Sequence, residues 1–263
     1  GEVVEGELLP SFLYLPGTHE LPEGSTELPW GDSSEGVVGE MARRGVAKSP
    51  DRVVHSAKSW LCHEGVDRRT PFLPRSPAEL ERRVSPVEAS SAYLSHLKRA
   101  WDHLIARGDK QLLLNAQDIL LTVPASFGEA ARMLTVEAGR MAGLERIHIV
   151  EEPQAAFYAW LADHAGKLDE ALEGLNLILV VDVGGGTTDL TLIRVTREEE
   201  DEPPKLERVA VGEHLMLGGD NMDLALAALA EPRLSAKGGK LDGRAWQALR
   251  QSCRNARETL MSI

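Results

Sequence analysis

The spacing of apolar residues changes along the chain and predicts different kinds of structure in its two parts. In the N-terminal third, short apolar runs such as residues 11–15 stand between recurring prolines and glycines, which predicts edge strands joined by loops. From Ser85 onward the apolar spacing becomes helical. The order Ser85, Pro86, Glu88 predicts an N-cap, a first-turn proline and a capping box. The predicted apolar face of this helix comprises Leu94, Leu97, Trp101, Leu104 and Ile105.

Strands and helices are predicted to alternate after this helix, which argues for an α/β sheet with covered faces. The predicted order is strand 118–124, helix 129–142, strand 146–150, helix 154–164, strand 205–212, helix 220–230 and helix 244–260. Residues 175–183 are apolar almost throughout, which is typical of a central strand. An alternating strand follows at 190–195, so the two strands are expected to form a hairpin.

Composition narrows the class of protein. The 263 residues are 43% hydrophobic, enough for one large core or two moderate ones. The net charge of -12 with no basic stripe argues against nucleic acid and anionic membranes as partners. The two cysteines lie far apart without metal-ligand spacing, and no apolar run could span a bilayer, so a cytoplasmic location is expected. Because the first residue is Gly1 rather than Met, an internal start or a processed chain is expected.

The strongest chemical signal is residues 180–189, VVDVGGGTTD, where a buried strand ends in a carboxylate and turns through glycines. Such a turn leaves backbone N–H groups pointing into one concavity, and without Cβ atoms a phosphate approaches freely. Asp182 could hold hydrated Mg²⁺, and the Thr187 hydroxyl could donate to a phosphate oxygen or to the attacking water. The glycines are Gly184, Gly185 and Gly186. The alternative is a glycine-rich hairpin that only turns tightly.

Two other nucleotide motifs are excluded. The chain has no G-x-x-x-x-G-K-[ST], and Asp189 breaks the dinucleotide pattern G-x-G-x-x-G. The surrounding segments are 121–127 (LTVPASF), Arg132, 138–144 (AGRMAGL), 150–156 (VEEPQAA) and 214–223 (HLMLGGDNMD). Their sequences and their order resemble those of DnaK-like chaperones, the seventy-kilodalton heat-shock proteins. The likeness is close over 118–223 and looser over 36–61 and 249–260.

The resemblance implies an actin-like ATPase domain with the ribonuclease H-like motif, in which two lobes of mixed sheets are flanked by helices and the domain is truncated at both ends. It also implies four parts: a small-lobe subdomain, a partial first ribonuclease H-like subdomain, the first part of a second one, and the start of a second small subdomain with the adenosine-side helix. Their expected bounds are 1–84, 85–174, 175–216 and 217–263.

The function implied by the resemblance is slow hydrolysis of Mg-ATP that switches a separate peptide-binding domain. ATP or ADP and Mg²⁺ would be the cofactors, and unfolded clients and co-chaperones would bind parts outside this chain. The family's first phosphate hairpin, D-x-G-T-T, has no counterpart here, so the chain alone is expected to bind ATP weakly or not at all. A degenerate nucleotide sensor or interaction module is the alternative. A small-molecule kinase on the same fold is a third, against which the VEEPQAA and LGGDN segments speak.

The resemblance assigns catalytic roles to four residues. Asp182 and Glu152 would hold magnesium through water, Thr187 would face the phosphate, and Arg43 stands where the family has its catalytic lysine. A guanidinium cannot sit where a compact ammonium orients a water. Glu152 has an alternative role as a helix N-terminal acid favoured by the dipole. Arg43 could equally be a surface residue.

Other positions are assigned to nucleotide binding and to coupling. Gly218 and Gly219 would approach the phosphates or ribose, or would only form the turn before a helix. Pro124 and Arg132 resemble the pair that couples nucleotide state to the interdomain linker. Their alternatives are a strand terminator and a solvated arginine.

The last helix departs from the family pattern. Arg257 replaces a lysine conservatively and would bind nucleotide. Arg254 stands where the family has an acid, and Glu258 where it has an adenine-stacking arginine, which puts adenine selectivity in question.

Overall fold

The computed structural model describes residues 6, 8–31, 36–46, 48–76, 79–197, 204–212, 215, 217–234 and 240–261. Two residues of the 214–223 segment, His214 and Met216, lie outside this range. The chain divides into two compact units. The first unit comprises Gly1–Ile119, Glu129–Ile147 and Asp220–Ile263, and the second comprises Leu120–Gly128 and His148–Gly219. The four-part division inferred from the resemblance stays a prediction.

Helices and strands alternate along most of the described chain. In chain order they are β1 (Phe12–Tyr14), β2 (Val37–Val38), α1 (Glu40–Gly45), β3 (Val53–His55), α2 (Ala57–Trp60), α3 (Pro86–Trp101), β4 (Ile119–Val123), α4 (Glu129–Met141), β5 (Ile147–Glu151), α5 (Glu152–Asp163), α6 (Leu168–Ala171), β6 (Leu177–Val183), β7 (Thr188–Thr196), β8 (Lys205–Val211), α7 (Gly219–Leu234) and α8 (Gly243–Met261). The predicted mixed α/β class is therefore confirmed.

The small sheet of the first unit has the order β2-β1-β3, with antiparallel pairing on both sides of β1. Residues 11–15 were expected to form an edge strand, and this prediction is wrong because β1 lies between its two partners. The reason is that Leu13 is fully buried and pairs with both Val38 and Val54. One side of the sheet therefore packs its apolar residues into a core shared with α3.

Helix α3 begins as the sequence predicted. The Glu88 backbone N–H donates to Ser85 Oγ at 3.1 Å, and the Ser85 N–H donates to Glu88 Oε2 at 2.6 Å, which completes a capping box. The helix packs against α4. It ends at Trp101, and a π-turn follows before the chain reverses at Gly108, whose φ is +92°. Several residues of the predicted apolar face are 38–52% exposed, namely Leu97, Trp101, Leu104 and Ile105.

The second unit contains an antiparallel sheet with the order β6-β7-β8. The predicted hairpin is confirmed, since Asp182 pairs with Asp189 and Val183 with Thr188. Within the described residues, however, β6 lies at an edge, so the prediction of a central strand is wrong for this part of the chain. The prediction rested on apolar residues on both faces of the strand. On one face, however, four of these side chains are more than half exposed: Leu177, Leu179, Val181 and Val183.

Two further features complete the second unit. Helix α5 packs against β6 and β7. Strands β4 and β5 pair with each other, and most of both strands belongs to this unit. Of the helices in the described part of the chain, none is long and apolar enough to cross a membrane.

Candidate functional site

The turn between β6 and β7 packs closely against the segment that leads into α7. The Gly184 N–H donates to the Thr187 carbonyl at 2.8 Å, and the Gly219 N–H donates to the Gly184 carbonyl at 3.0 Å. A Cβ at Gly218 would lie 2.6 Å from the carbonyl oxygens of Gly184 and Gly185. Real Cβ atoms do not approach backbone so closely, so only glycine fits at position 218. The structure thus brings the two predicted glycine groups together; we call residues 184–187 with Gly218 and Gly219 the cradle.

One part of the cradle is open. A Cβ at Gly185 would meet no atom within 4 Å, and no described residue accepts a hydrogen bond from the Gly185 N–H. Such a backbone donor is suited to an anion. Among the residues that the structure describes, none hydrogen-bonds the Thr187 hydroxyl, whereas Thr188 Oγ1 donates to the Leu217 carbonyl at 2.8 Å. Thr188 therefore fastens the cradle, and the role of Thr187 toward a ligand stays a prediction.

Two carboxylates lie on the hairpin beside the cradle. Asp182 is half-buried on β6 and pairs directly across the strands with Asp189 on β7, which is 4% exposed. Within the described chain, Asp189 Oδ2 is buried without a hydrogen-bond partner. Like charges directly opposite each other destabilise a sheet unless something neutralises them. The pair therefore fits a hydrated divalent cation, and its oxygens are the ligands that Mg²⁺ prefers.

Glu152 is a third carboxylate of the same unit and lies on α5. It is the first residue of that helix, it is half-buried, and the buried Pro153 follows it. Because α5 packs against β6, Glu152 and Asp182 belong to neighbouring elements. No group of three or more metal-ligating side chains is found among the described residues, and the magnesium roles of the two acids stay predictions.

Asp189 also ties the hairpin to β4. Its Oδ1 accepts the Ser126 N–H at 3.3 Å, two residues beyond Pro124. Pro124 is fully buried at the end of β4 and accepts the Phe127 N–H at 3.0 Å. The sequence motif ended at Asp189, but nothing local indicated that its carboxylate would accept from the turn that follows β4.

Three of the predicted site residues lie in the first unit, namely Arg43, Arg132 and Arg257. Arg43 on α1 forms ion pairs with Glu40 at 3.1 Å and with Glu258 of α8 at 3.2 Å. The two side chains that depart from the family pattern at these positions, Arg43 and Glu258, therefore contact each other. Arg132 is half-buried on α4, and its coupling role stays a prediction beside the alternative of a solvated arginine.

Arg257 and Arg254 are fixed by acids of α7. Arg257 Nε donates to Asp223 Oδ1 at 2.7 Å, and Arg254 Nε donates to Asp223 Oδ2 at 3.0 Å. Asp223 is 2% exposed, and its hydrogen bond raises the pKa of Arg257. Arg254 also pairs with Asp220, which accepts a hydrogen bond from the Ser56 hydroxyl. We call these five residues the arginine clamp. Sequence reasoning missed its acids, although acids three apart on α7 and arginines three apart on α8 were a signal.

Beside the clamp lies a small cavity with room for about one water molecule. It is lined by His55, Asp223, Arg250 and Arg254, among others. Burial, together with the positive charges of Arg250 and Arg254, lowers the pKa of His55 to about 4. His55 is therefore neutral at neutral pH and adds no charge to this arginine-rich region.

Comparison with known protein families matches residues 28–263 to the family described as Hsp70 protein. The chaperone protein HscA of Enterobacter sp. (strain 638) is 33% identical over 195 residues, which cover 72% of this chain and 29% of that protein. An HscA homolog of Pseudoalteromonas atlantica is 30% identical over 236 residues, 85% of this chain and 34% of that protein. The chain thus spans about a third of the length of these curated relatives. The family match covers most of the sequence and includes both halves of the cradle, and the chain therefore belongs to the Hsp70 family.

Proposed function

We propose that the chain is the nucleotide-binding part of a DnaK-like ATPase with the actin-like, two-lobed fold, acting as a chaperone. Its slow hydrolysis of Mg-ATP would switch a separate peptide-binding domain. The observation that carries this proposal is the cradle: a glycine turn with an open backbone donor, locked by Gly218, beside two carboxylates. A hairpin that only turned tightly would need neither the second glycine pair nor the opposed acids.

The predicted site residues at the cradle and beside it each have a role in this proposal. The Gly185 N–H and its neighbours would bind phosphate oxygens, and the Thr187 hydroxyl would donate to a phosphate oxygen or orient the attacking water. Asp182 and Glu152 would accept hydrogen bonds from waters of the bound ion. Magnesium, when bound, supplies neutralisation of the charge on the transferring phosphoryl group.

The remaining parts of the proposal concern the whole protein. The relatives are named as chaperones, and a peptide-binding domain, clients and co-chaperones would belong to regions that the chain does not cover. Pro124 is buried where β4 meets the hairpin through Ser126 and Asp189, which supports a coupling role for it. Arg132 would be its partner in that coupling. We place the protein in the cytoplasm.

A second candidate function is a nucleotide sensor without turnover. The observation that favours it is the Arg43–Glu258 ion pair, because Arg43 replaces the lysine of the family and already has carboxylate partners. A planar guanidinium also orients a water differently from a compact ammonium.

The test is Mg-ATP binding by calorimetry and single-turnover hydrolysis on the full-length protein. Asp182→Asn should weaken magnesium-dependent binding and slow hydrolysis by at least tenfold, whereas Glu207→Gln, which removes an exposed carboxylate from β8, should change neither. Equal behaviour of Asp182→Asn and the wild type would refute the site. Tight binding without turnover, with turnover restored by Arg43→Lys, would establish the sensor instead of the ATPase.

A further inference from the structure

Arg250 on α8 is half-buried and has no carboxylate partner in the part of the chain that the structure describes. Its Nη1 donates to Gln247 Oε1 at 3.3 Å, whereas its Nε is buried without a hydrogen-bond partner. None of the residues three or four positions away on the helix is an acid: Trp246, Gln247, Cys253 and Arg254. A buried donor without a partner costs free energy, which a ligand that accepts from it recovers.

The arginine clamp beside Arg250 is already balanced in charge. Its two arginines share Asp223, whose two oxygens accept from them at 2.7 to 3.1 Å, and Arg254 also pairs with Asp220. Because both oxygens of Asp223 are occupied, its charge is compensated within the clamp. The two arginines and two acids of the clamp therefore leave Arg250 as a surplus positive charge.

Arg250 lines the small cavity beside the clamp, and all the residues of this cavity belong to the first unit. Its walls also include Val46, which follows α1, His55 of β3, and Gln251 of α8. Burial and the neighbouring arginines lower the pKa of His55 to about 4, so this ring adds no further charge at neutral pH. With room for about one water molecule, the cavity fits a monatomic anion and is too small for phosphate or sulfate.

We propose that this cavity binds chloride, with the Nε of Arg250 as the main donor. A water molecule fills the same volume and accepts the same hydrogen bond, but it leaves the charge of the guanidinium uncompensated. Chloride supplies both the acceptor and the counter-charge. Since Val46 and His55 form the opposite wall, the bound anion also ties α8 to the small sheet and to α1. The inference does not depend on the proposed function, because no nucleotide takes part in it.

The test measures hydrogen exchange over α8 in the full-length protein as chloride is titrated. Gluconate replaces chloride at constant ionic strength and pH, because it is too large for the cavity. Opening of α8 releases the anion, so exchange should slow in a saturable way, by about elevenfold when chloride reaches ten times its dissociation constant. Arg250→Gln should abolish this slowing. Arg140→Gln, which removes an exposed cation from α4 in the same unit, should preserve it.

Wild-type crystals soaked in bromide give a second measurement that needs no variant, since bromide is close to chloride in size and scatters anomalously. An anomalous peak within hydrogen-bond distance of Arg250 Nε, together with slowing that only Arg250→Gln removes, supports the inference. A cavity that holds water in the presence of bromide overturns it, and so does equal slowing in Arg250→Gln and the wild type. A bromide peak without any change in exchange would mean an adventitious ion only, and the inference would fail.

Discussion

Replacing Asp223 with asparagine is the most direct test of how the first unit is held together. Asp223 is 2% exposed and accepts hydrogen bonds from Arg254 at 3.0 Å and from Arg257 at 2.7 and 3.1 Å. Asparagine has nearly the same shape but loses the charge, and its NH₂ group faces guanidinium donors. Two arginines would then lose their buried counter-ion.

The magnitude follows from the geometry. Removing one partner of a buried ion pair costs about 3–5 kcal/mol. Here Arg254 keeps its pair with Asp220, and the asparagine oxygen still accepts one hydrogen bond. We therefore expect a loss of about 2–4 kcal/mol in the free energy of unfolding. For a protein of this size that corresponds to a fall in Tm of roughly 5–15 °C.

The assay is urea and thermal unfolding followed by circular dichroism, with hydrogen exchange read separately over α8. Exchange should accelerate at α8 before other helices, because the substitution releases it from α7. Asp118→Asn is the matched control, since its exposed pair with Arg146 at 3.4 Å should contribute less than about 0.5 kcal/mol. If the two variants lost equal stability, the arginine clamp would not hold the unit and this reasoning would be refuted.

Three further predictions concern single positions. Gly218→Ala should destabilise the protein by about 1–3 kcal/mol in urea denaturation and abolish Mg-ATP binding in calorimetry, because its Cβ would meet backbone oxygens at 2.6 Å. Gly128→Ala is the control, since a Cβ there would meet no atom within 4 Å, and it should change neither measurement. Ser85→Ala should lower the free energy of unfolding by about 1 kcal/mol, measured in urea, since it removes the capping box of α3. The depressed pKa of His55, about 4, means that the unfolded state binds more protons than the folded state between pH 4 and 6.5, so stability should rise with pH across that window. His55→Gln should flatten this rise, and an unchanged slope would contradict the neutral, buried histidine.

Local signals in the sequence predicted the local structure well. The capping box at Ser85 and the hairpin closed by residues 184–187 each depend on residues close in sequence, and both are present. The two glycine segments of the cradle could each be predicted from the sequence, but their contact with each other could not. That Gly218 lies against Gly184 depends on how the chain returns after β8, which no short pattern encodes.

Long-range contacts account for what the sequence did not reveal. The apolar run of β6 showed which residues can be buried but not what covers them, so the strand was expected to be central, whereas it lies at an edge of the sheet formed by the described residues. Arg43 and Glu258 could be recognised singly as departures, whereas their ion pair depends on the packing of α8. Asp223 went unrecognised because acids on a helix are usually solvated, and the arginines that it pairs with lie on another helix.

The hydrogen bond from the Gly219 N–H to the Gly184 carbonyl closes a loop of chain that begins and ends at the cradle. This closed stretch of chain contains β7 and β8, and the geometry of the cradle depends on the two ends of the stretch, where Gly184 and Gly219 meet. Insertions or deletions in the connection from β7 to β8 should therefore be tolerated in evolution without loss of the cradle. A change of one residue in the length of the segment between β8 and Gly218 should not be tolerated. Comparing the two connections across homologous sequences would show variable length in the first and constant length in the second.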